Sequence, residues 1–423
     1  MTKKASKPSA GKTSASSSKK SSGGGSQSLL GTILGLIVVV AGVIFSALTG
    51  VNPFESTGTA VPRTAVPATS VPATAAGGSS GGTGRVELVT LPMGFGAKKG
   101  FWEVYFTAPT ENRDRKTYVN GIDVPLATAI DNVKNTLDIA AFEWNNPVIT
   151  EAVLRAAERG VRVRMVVDNE YTVEEDDSTI AEMELADIPI VEDGRSALMH
   201  NKIMIMDGIT VWIGAMNFTV NGVYRNYNNL VMLRSRRAVE IYQAEFDEMF
   251  TGKQFGPRSP KTNTGSFTQD NTPIEVYFAS ENDVIGPIIR EINAAKQSIR
   301  FMAFSFTRDD MAQAMLARSR AGVNVQGVFE RTGSATQFSE LTPLFCAGLD
   351  VRQDGYSGVM HHKVVVIDGS VVITGSFNFS DNAVESNDEN LVIIRDKDLA
   401  TQFLAEFDRV QKISVAPTGI VCN

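Results

Sequence analysis

Two stretches of this 423-residue chain decide how it folds: ADIPIVEDGRSALMHNKIMIMDGITVWIGAMNF at residues 186–218 and AGLDVRQDGYSGVMHHKVVVIDGSVVITGSFNF at residues 347–379. They align without a gap at a constant offset of 161, the mark of an internal duplication. The likeness extends outward. AAERGVRVRMVVD (156–168) matches RSRAGVNVQGVFE (318–330), and WEVYFTAP (102–109) matches IEVYFASE (274–281). Each unit reads strand, helix, strand, helix, strand, strand, helix. Amphipathic helices are expected over Ile130–Leu137 and Ile289–Ile299, ahead of the apolar strands IAAF and FMAF, while AVLRAAERG and AMLARSRAG are helices that stop at Gly. Strands alternating with helices give an α/β fold. The expected architecture is two tandem, pseudo-twofold related repeats, each a mixed β-sheet covered by helices.

The flanks assign the rest of the chain. Residues 1–28 are Lys-, Ser- and Gly-rich with little to bury, and read as a disordered cytoplasmic tail. Leu29–Leu48 carries no charge and is rich in Leu, Ile and Val; twenty helical residues at about 1.5 Å each span a bilayer's hydrocarbon core. Residues 29–50 are therefore expected to be a single-pass signal anchor. The Lys-rich flank stays cytoplasmic, and the remainder of the chain lies on the extracytoplasmic side of the cell membrane. A Pro/Thr then Gly/Ser linker follows at 51–84, then the first repeat at 85–251, a polar connector at 252–272 and the second repeat at 273–415. The net charge of −7 includes six Lys and no acid in residues 1–28, which leaves −13 for the remainder, a poor general binder of polyanions. Two Cys, Cys346 and Cys422, are too few for a thiolate cluster, and the sequence does not say whether they meet. Three His give little scope for a His-rich metal centre, so no metal or other cofactor is expected.

All three His fall in the duplicated stretches. Each repeat holds one His-x-Lys-x4-Asp: His200, Lys202 and Asp207, then His361, Lys363 and Asp368. Residues two apart on a strand share a face, so each His points with its Lys, and His362 points away as a packing residue. Asp207-Gly208 and Asp368-Gly369 each sit between two β-type runs, a hairpin signal. A two-residue turn pairs Met206 with Ile209 and sets His200 opposite Ala215, with Asn217 beyond; it sets His361 opposite Ser376, with Asn378 beyond. Two such hairpins facing each other gather two His, two Lys and two Asn. Lys and Asn donors suit phosphate oxygens, and the His pair can divide attack from proton donation.

These residues resemble the phospholipase D superfamily, defined by duplicated HxKxxxxD motifs each followed by Gly-x-x-Asn; the likeness covers roughly residues 100–415. The resemblance implies a metal-independent phosphodiesterase working through a phosphohistidine. By position, His200 attacks phosphorus and His361 protonates the leaving alcohol, while Lys202, Lys363, Asn217 and Asn378 hold the phosphoryl oxygens. Asp207 and Asp368 complete the catalytic motifs, although as turn residues before Gly they already have a structural task and read as supporting. The first motif departs from the second in having Ala215 where the second has Ser376, and Asn228 where it has Glu389. The family uses a Glu at that point to orient its His, so Glu389 is expected to hold His361 protonated.

Two facing His-x-Lys pairs on apolar strands would bury Lys at a cost without a ligand, which favours function over packing. Trp102–Phe106 and Phe301–Phe306 read as core, Glu174–Asp177 as a solvated loop that disfavours long nucleic acids where it borders the entrance, and Tyr224 and Tyr227 as residues at the pocket mouth. The substrate expected is a phospholipid, cleaved to phosphatidic acid and a head-group alcohol. A surface-anchored nuclease is the alternative, followed by a phosphatidyltransferase and a non-catalytic phosphoanion-binding module. A neutral and a protonated imidazole acting together give a bell-shaped pH profile.

Overall fold

The apolar runs around the two motifs become strands because each is short, rich in Val and Ile, and bounded by Gly or Asp-Gly turns. A computed structural model describes residues 84–261 and 263–422. The first repeat runs β1 (Glu87–Leu91), β2 (Gly94–Lys99), β3 (Trp102–Thr107), α1 (Asp123–Asn132), β4 (Thr136–Ala141), α2 (Pro147–Glu158), β5 (Arg162–Val167), α3 (Ile180–Leu185), β6 (Ile190–Glu192), β7 (Lys202–Met206), β8 (Thr210–Gly214), α4 (Val220–Tyr224), β9 (Asn226–Tyr227), β10 (Asn229–Leu233) and α5 (Arg236–Phe250). The second runs β11 (Gly265–Gln269), β12 (Thr272–Ala279), α6 (Ile285–Ala294), β13 (Ser298–Ala303), α7 (Asp309–Arg320), β14 (Asn324–Phe329), α8 (Leu341–Cys346), β15 (Asp350–Gln353), β16 (Val359–Met360), β17 (Lys363–Ile367), β18 (Val371–Gly375), α9 (Asp381–Glu385), β19 (Glu389–Ile394) and α10 (Lys397–Ile413).

Apart from the short β9–β16 pair, the strands form two mixed sheets of matching order, the first with one more strand than the second. The first has the order β1-β2-β3-β10-β8-β7-β4-β5-β6 and the second β11-β12-β19-β18-β17-β13-β14-β15. β4, β5 and β6 are parallel, as are β13, β14 and β15. Helices α1 and α2 cover the outer face of the first sheet through Ile130, Ile149 and Val153, and α6 and α7 cover that of the second through Ile288, Ile292 and Met315. Between the sheets lies a shared core of Ile203, Ile205, Val364 and Val366, closed by Phe246 of α5 and Phe403 of α10. Helix α5 packs on β12 of the other sheet and α10 on β3, so neither repeat closes its core alone.

Three sequence expectations are corrected. The helices before β4 and β13 end at Asn132 and Ala294, so Leu137 and Ile299 belong to the strands. Polar Lys134-Asn135 and Gln297 break the apolar helical stripe there. The stretch expected as connector includes β11, which pairs with β12 across an Asp270-Asn271 turn in which both residues have positive φ. The Asp-Gly turns form, with positive φ at Asp207 and Gly208 and a bond from Ile209 N–H to the Met206 carbonyl (3.0 Å). The ladder, however, pairs Met206 with Thr210 and Ile367 with Val371. Ile209 and Ser370 are extra residues, and the register slips by one, so His200 does not lie opposite Ala215 nor His361 opposite Ser376.

Cys346 at the end of α8 and Cys422 near the C-terminus form a disulfide. The expected spanning segment, Leu29–Leu48, lies outside the described residues with the tail before it and the linker up to residue 83; among the described residues no helix is long and apolar enough to cross a membrane.

Candidate active site

Each motif His stands two residues before its strand, and what holds it there is the other repeat. Met199 bridges Asp388 in parallel, and Met360 pairs in parallel with Tyr227 through β16 and β9. The His200 N–H donates to the Asp388 carbonyl and the His361 N–H to the Tyr227 carbonyl, each at 2.9 Å. The offset of 161 maps one set of contacts onto the other, so the pseudo-twofold axis passes between the histidines. Gly214 and Gly375 permit this crossing. A Cβ there would lie 2.4 Å from the Asn229 carbonyl oxygen and 2.2 Å from that of Asn390, at positive φ in both cases. Gly is thus the residue that lets each motif strand pass under the segment reaching to the opposite His.

The crossing also exchanges the orienting residues. Glu389 accepts from His200 Nδ1 at 2.7 Å, not from His361 as the sequence suggested. His361 Nδ1 meets Asn228 Oδ1 at 3.0 Å. Asn228 Nδ2 donates to the Gly222 carbonyl at 2.8 Å, which turns Oδ1 toward the ring and puts the hydrogen on His361 Nδ1. In both rings Nε2 is therefore the nitrogen available for chemistry. Ser376 Oγ donates to Glu389 at 2.7 Å and Asn387 Nδ2 at 3.3 Å, so Ser376 serves the first His through Glu389. The two departures of the first motif, Ala215 and Asn228, are thus one difference: the carboxylate support belongs to His200 and the amide support to His361.

Each Lys is buried and donates to the carbonyl of its own His, Lys202 at 2.7 Å and Lys363 at 3.0 Å. Sequence reading missed the aromatic residues beneath them. Phe142 lies 4.7 Å from the His200 ring and 4.6 Å from Lys202 Nζ; Phe304 lies 4.8 Å from the His361 ring and 4.5 Å from Lys363 Nζ. Edge contact fixes the imidazole and the ring face favours the ammonium. The signal was present, since Phe142 and Phe304 end the matching IAAF and FMAF strands. Phe301 and Phe306 of the same run are core, as expected.

Asn217 joins the site, but its Nδ2 donates to Glu143 Oε2 at 2.7 Å, and its buried Oδ1 has no partner. Glu143 directly follows Phe142, where the second repeat has Ser305 after Phe304. Asn378 also has an unpartnered buried Oδ1. Asp207 and Asp368 do not join them. They sit at the far ends of β7 and β17, where Asp207 accepts the N–H groups of Lys134, Asn135 and Thr136 and Asp368 those of Lys296, Gln297 and Ser298. Three backbone donors hold each carboxylate's pKa low and fasten the start of the neighbouring strand, so neither carboxylate belongs to the reacting set. His362 is fully buried between Asn229 Oδ1 and Glu406 Oε1, a packing role. Tyr224 and Tyr227 are buried rather than at a mouth: Tyr224 donates to the Asp123 carboxylate, and the Tyr227 ring lies under Arg409.

The charges act on one another. Burial, Lys202 and Lys363 push His200 well below the ordinary imidazole range, and burial with Lys363, Lys202 and His200 itself does the same for His361. Burial lowers Lys202 to about 7 against the pull of Glu389 and Glu143; burial and the repulsion of Lys202 push Lys363 well below the ordinary lysine range. Burial raises Glu389 to about 8, opposed by Lys202. The free site is a pocket of suppressed positive charge, and a bound phosphate anion reverses that suppression. Among the described residues no group of three or more His, Cys, Asp or Glu is arranged to hold a metal ion.

Comparison with known proteins places this geometry in a family. The family model described as "Cardiolipin synthase, PLD-like domain" matches twice, over residues 126–250 and 288–411, together more than half of the chain. The chain belongs to this phospholipase D-like family. It is 33% identical over 155 residues to a phospholipase D of Rickettsia prowazekii, covering 34% of this chain and 76% of the relative. It is 36% identical over 123 residues to the mitochondrial cardiolipin hydrolase of Xenopus laevis, covering 29% of this chain and 59% of that relative's length. The phosphatidylserine synthase of Haemophilus influenzae shares the fold, with a TM-score of 0.54 over 70% of this chain and 85% of the synthase at 14% identity.

Proposed function

We propose that the chain is a metal-independent phosphodiesterase of phospholipase D type that hydrolyses a phospholipid head group to leave phosphatidic acid. The observation that carries this reading is the crossed pair of dyads, which makes the two histidines unequal. His200 Nδ1–H donates to the Glu389 carboxylate, so its Nε2 lone pair attacks phosphorus and the positive charge forming on the ring is opposed at 2.7 Å. As the bond from phosphorus to the head-group oxygen breaks, protonated His361 Nε2 gives its proton to that oxygen and the alcohol leaves. His361 then takes a proton from water, whose oxygen attacks phosphorus. The phosphorus–nitrogen bond breaks, His200 regains its lone pair, and phosphatidic acid departs. Lys202, Lys363 and Asn378 stabilise the charge on the phosphoryl oxygens throughout.

The reading has a place as well as a reaction. A single-pass anchor at Leu29–Leu48, with the repeats on the extracytoplasmic side, sets the site beside its lipid. The Cys346–Cys422 disulfide supports that side, since such bonds persist in oxidising compartments.

The test uses the full chain in excess EDTA with mixed phospholipid vesicles, and separately with single- and double-stranded DNA. Phosphatidic acid released by the wild-type chain, and abolished by His200→Ala and by His361→Ala, is the expected result. DNA cleavage with untouched lipid overturns the lipid assignment, and turnover that needs a divalent cation overturns the mechanism.

A further inference from the structure

The pseudo-twofold makes the two walls of the site comparable residue by residue, and their charge is where they differ most. On the second wall Phe304 is followed by Ser305, and the segment after β14, RTGSATQFSE (331–340), carries one base and one acid. On the first wall Phe142 is followed by Glu143, and the segment after β5, NEYTVEEDDST (169–179), carries five acids and no base. This acidic segment lies against the site. Thr172 Oγ1 donates to the Phe142 carbonyl (2.7 Å), Asn145 Nδ2 to Asp177 (2.9 Å), and Tyr171 packs on Phe142 with ring centroids 4.8 Å apart. Burial raises the Glu143 pKa and the nearby charges of Glu175 and Asp177 raise it further, while Lys202 and the Asn217 amide favour its charged form.

Glu143 also changes what the first wall offers. Glu143 engages the Nδ2 donor of the 93% buried Asn217, whose Oδ1, like that of Asn378 on the second wall, has no partner. The second wall's Asn378 has no such carboxylate beside it. The first wall is therefore built of acceptors and negative charge around one Lys, a surface that tolerates the reacting phosphate and repels any other anion close to it.

We propose that Glu143, together with the separate repulsion of the acidic segment Glu174–Asp177, is a specificity-determining residue that restricts the site to phosphodiesters carrying a single phosphate. Such substrates have an arm over the first wall that is uncharged or cationic, as in a zwitterionic phospholipid, and polyanions with a neighbouring phosphate are rejected. The proposal rests on the phosphodiesterase reading and narrows its substrate class.

The test compares phosphatidylcholine, cardiolipin and a 20-mer oligothymidylate, the lipids dispersed in excess neutral detergent so that surface charge does not differ. Bis-p-nitrophenyl phosphate serves as a reference diester. The full chain in EDTA is expected to favour phosphatidylcholine over cardiolipin by at least about tenfold in kcat/KM, and to leave the oligonucleotide uncut. Glu143→Gln narrows the lipid ratio by about tenfold, and added salt narrows it in the wild type. Glu175→Lys, at an exposed position, moves the ratio the same way and carries the test where Glu143→Gln does not fold. A wild-type chain that cleaves cardiolipin or oligonucleotide as well as phosphatidylcholine overturns the proposal, as does a ratio unmoved in a folded variant; in both cases the phosphodiesterase reading stands. No turnover of any diester, the reference included, overturns the reading and the proposal together.

Discussion

Glu389→Gln is the substitution that most directly tests the crossed dyads. It keeps the side-chain volume and removes the carboxyl group, 2.7 Å from His200 Nδ1, whose ionised form opposes the positive charge that develops on the ring, where both residues are almost wholly buried. The lost charge-assisted hydrogen bond is worth about 1.5–3 kcal/mol. Attack on phosphorus also puts a positive charge on the imidazole; unit charges about 4 Å apart interact by about 4 kcal/mol at an effective dielectric of 20, part of which the wild type already spends on desolvating Glu389. A net loss of about 3–4 kcal/mol in the transition state is a rate loss of about 10²–10³-fold. Asn228→Ala removes only a neutral bond to His361, about 1 kcal/mol, and slows the reaction about five- to tenfold. The assay is the pre-steady-state release of p-nitrophenol from bis-p-nitrophenyl phosphate, with thermal melts to establish folding. In the His361→Asn variant the covalent phosphoryl group maps by mass spectrometry to His200. Equal losses from Glu389→Gln and Asn228→Ala, a loss from Glu389→Gln below about fivefold, or a phosphoryl group on His361 would refute the assignment.

Four further outcomes are expected. Because both buried Lys and both motif His are pushed toward neutrality in the free site, binding of tungstate at pH 7 draws in about one proton or more, read by calorimetry in buffers of different ionisation enthalpy; no uptake would mean that the acid is already charged. All three His have folded pKa values below 6.5, so at these positions the unfolded chain binds more protons and their contribution to stability is lost as pH drops below about 6.5, while raised carboxylates such as Glu389 act the other way; the wild-type urea midpoint therefore loses ground to that of a His362→Gln variant as pH falls through that range. Asp207→Ala releases three backbone donors and destabilises by about 1–2 kcal/mol in denaturant titrations while turnover changes little; a thousandfold loss of turnover in a folded variant would return Asp207 to the reacting set. Reducing the Cys346–Cys422 bond, which spans 76 residues, lowers the melting temperature by the equivalent of about 2–4 kcal/mol.

The sequence by itself determined the duplication, the α/β class, the two His-x-Lys pairs and the need for the repeats to face each other. A constant offset and a period of two are local, one-dimensional facts, and they survive folding unchanged. It also separated His362 from its neighbour, since strand alternation alone sends it to the opposite face. What tertiary structure decided is everything that crosses between repeats. Glu389 lies twenty-eight positions after His361 in the chain and reads naturally as its partner, yet it serves His200 because each motif segment pairs with the opposite repeat. The one-residue slip in the hairpins depends on whether Ile209 and Ser370 join the ladder, which the Asp-Gly signal does not encode. Glu143 and the two Phe carry no motif; they become site residues only because β4 and β13 lie beside the motif strands of their own sheets, which brings the residues after them against His200 and Lys202 and against His361 and Lys363. A carboxylate's partner is set by proximity in space and by the burial that strengthens the interaction, and neither quantity is written in chain distance.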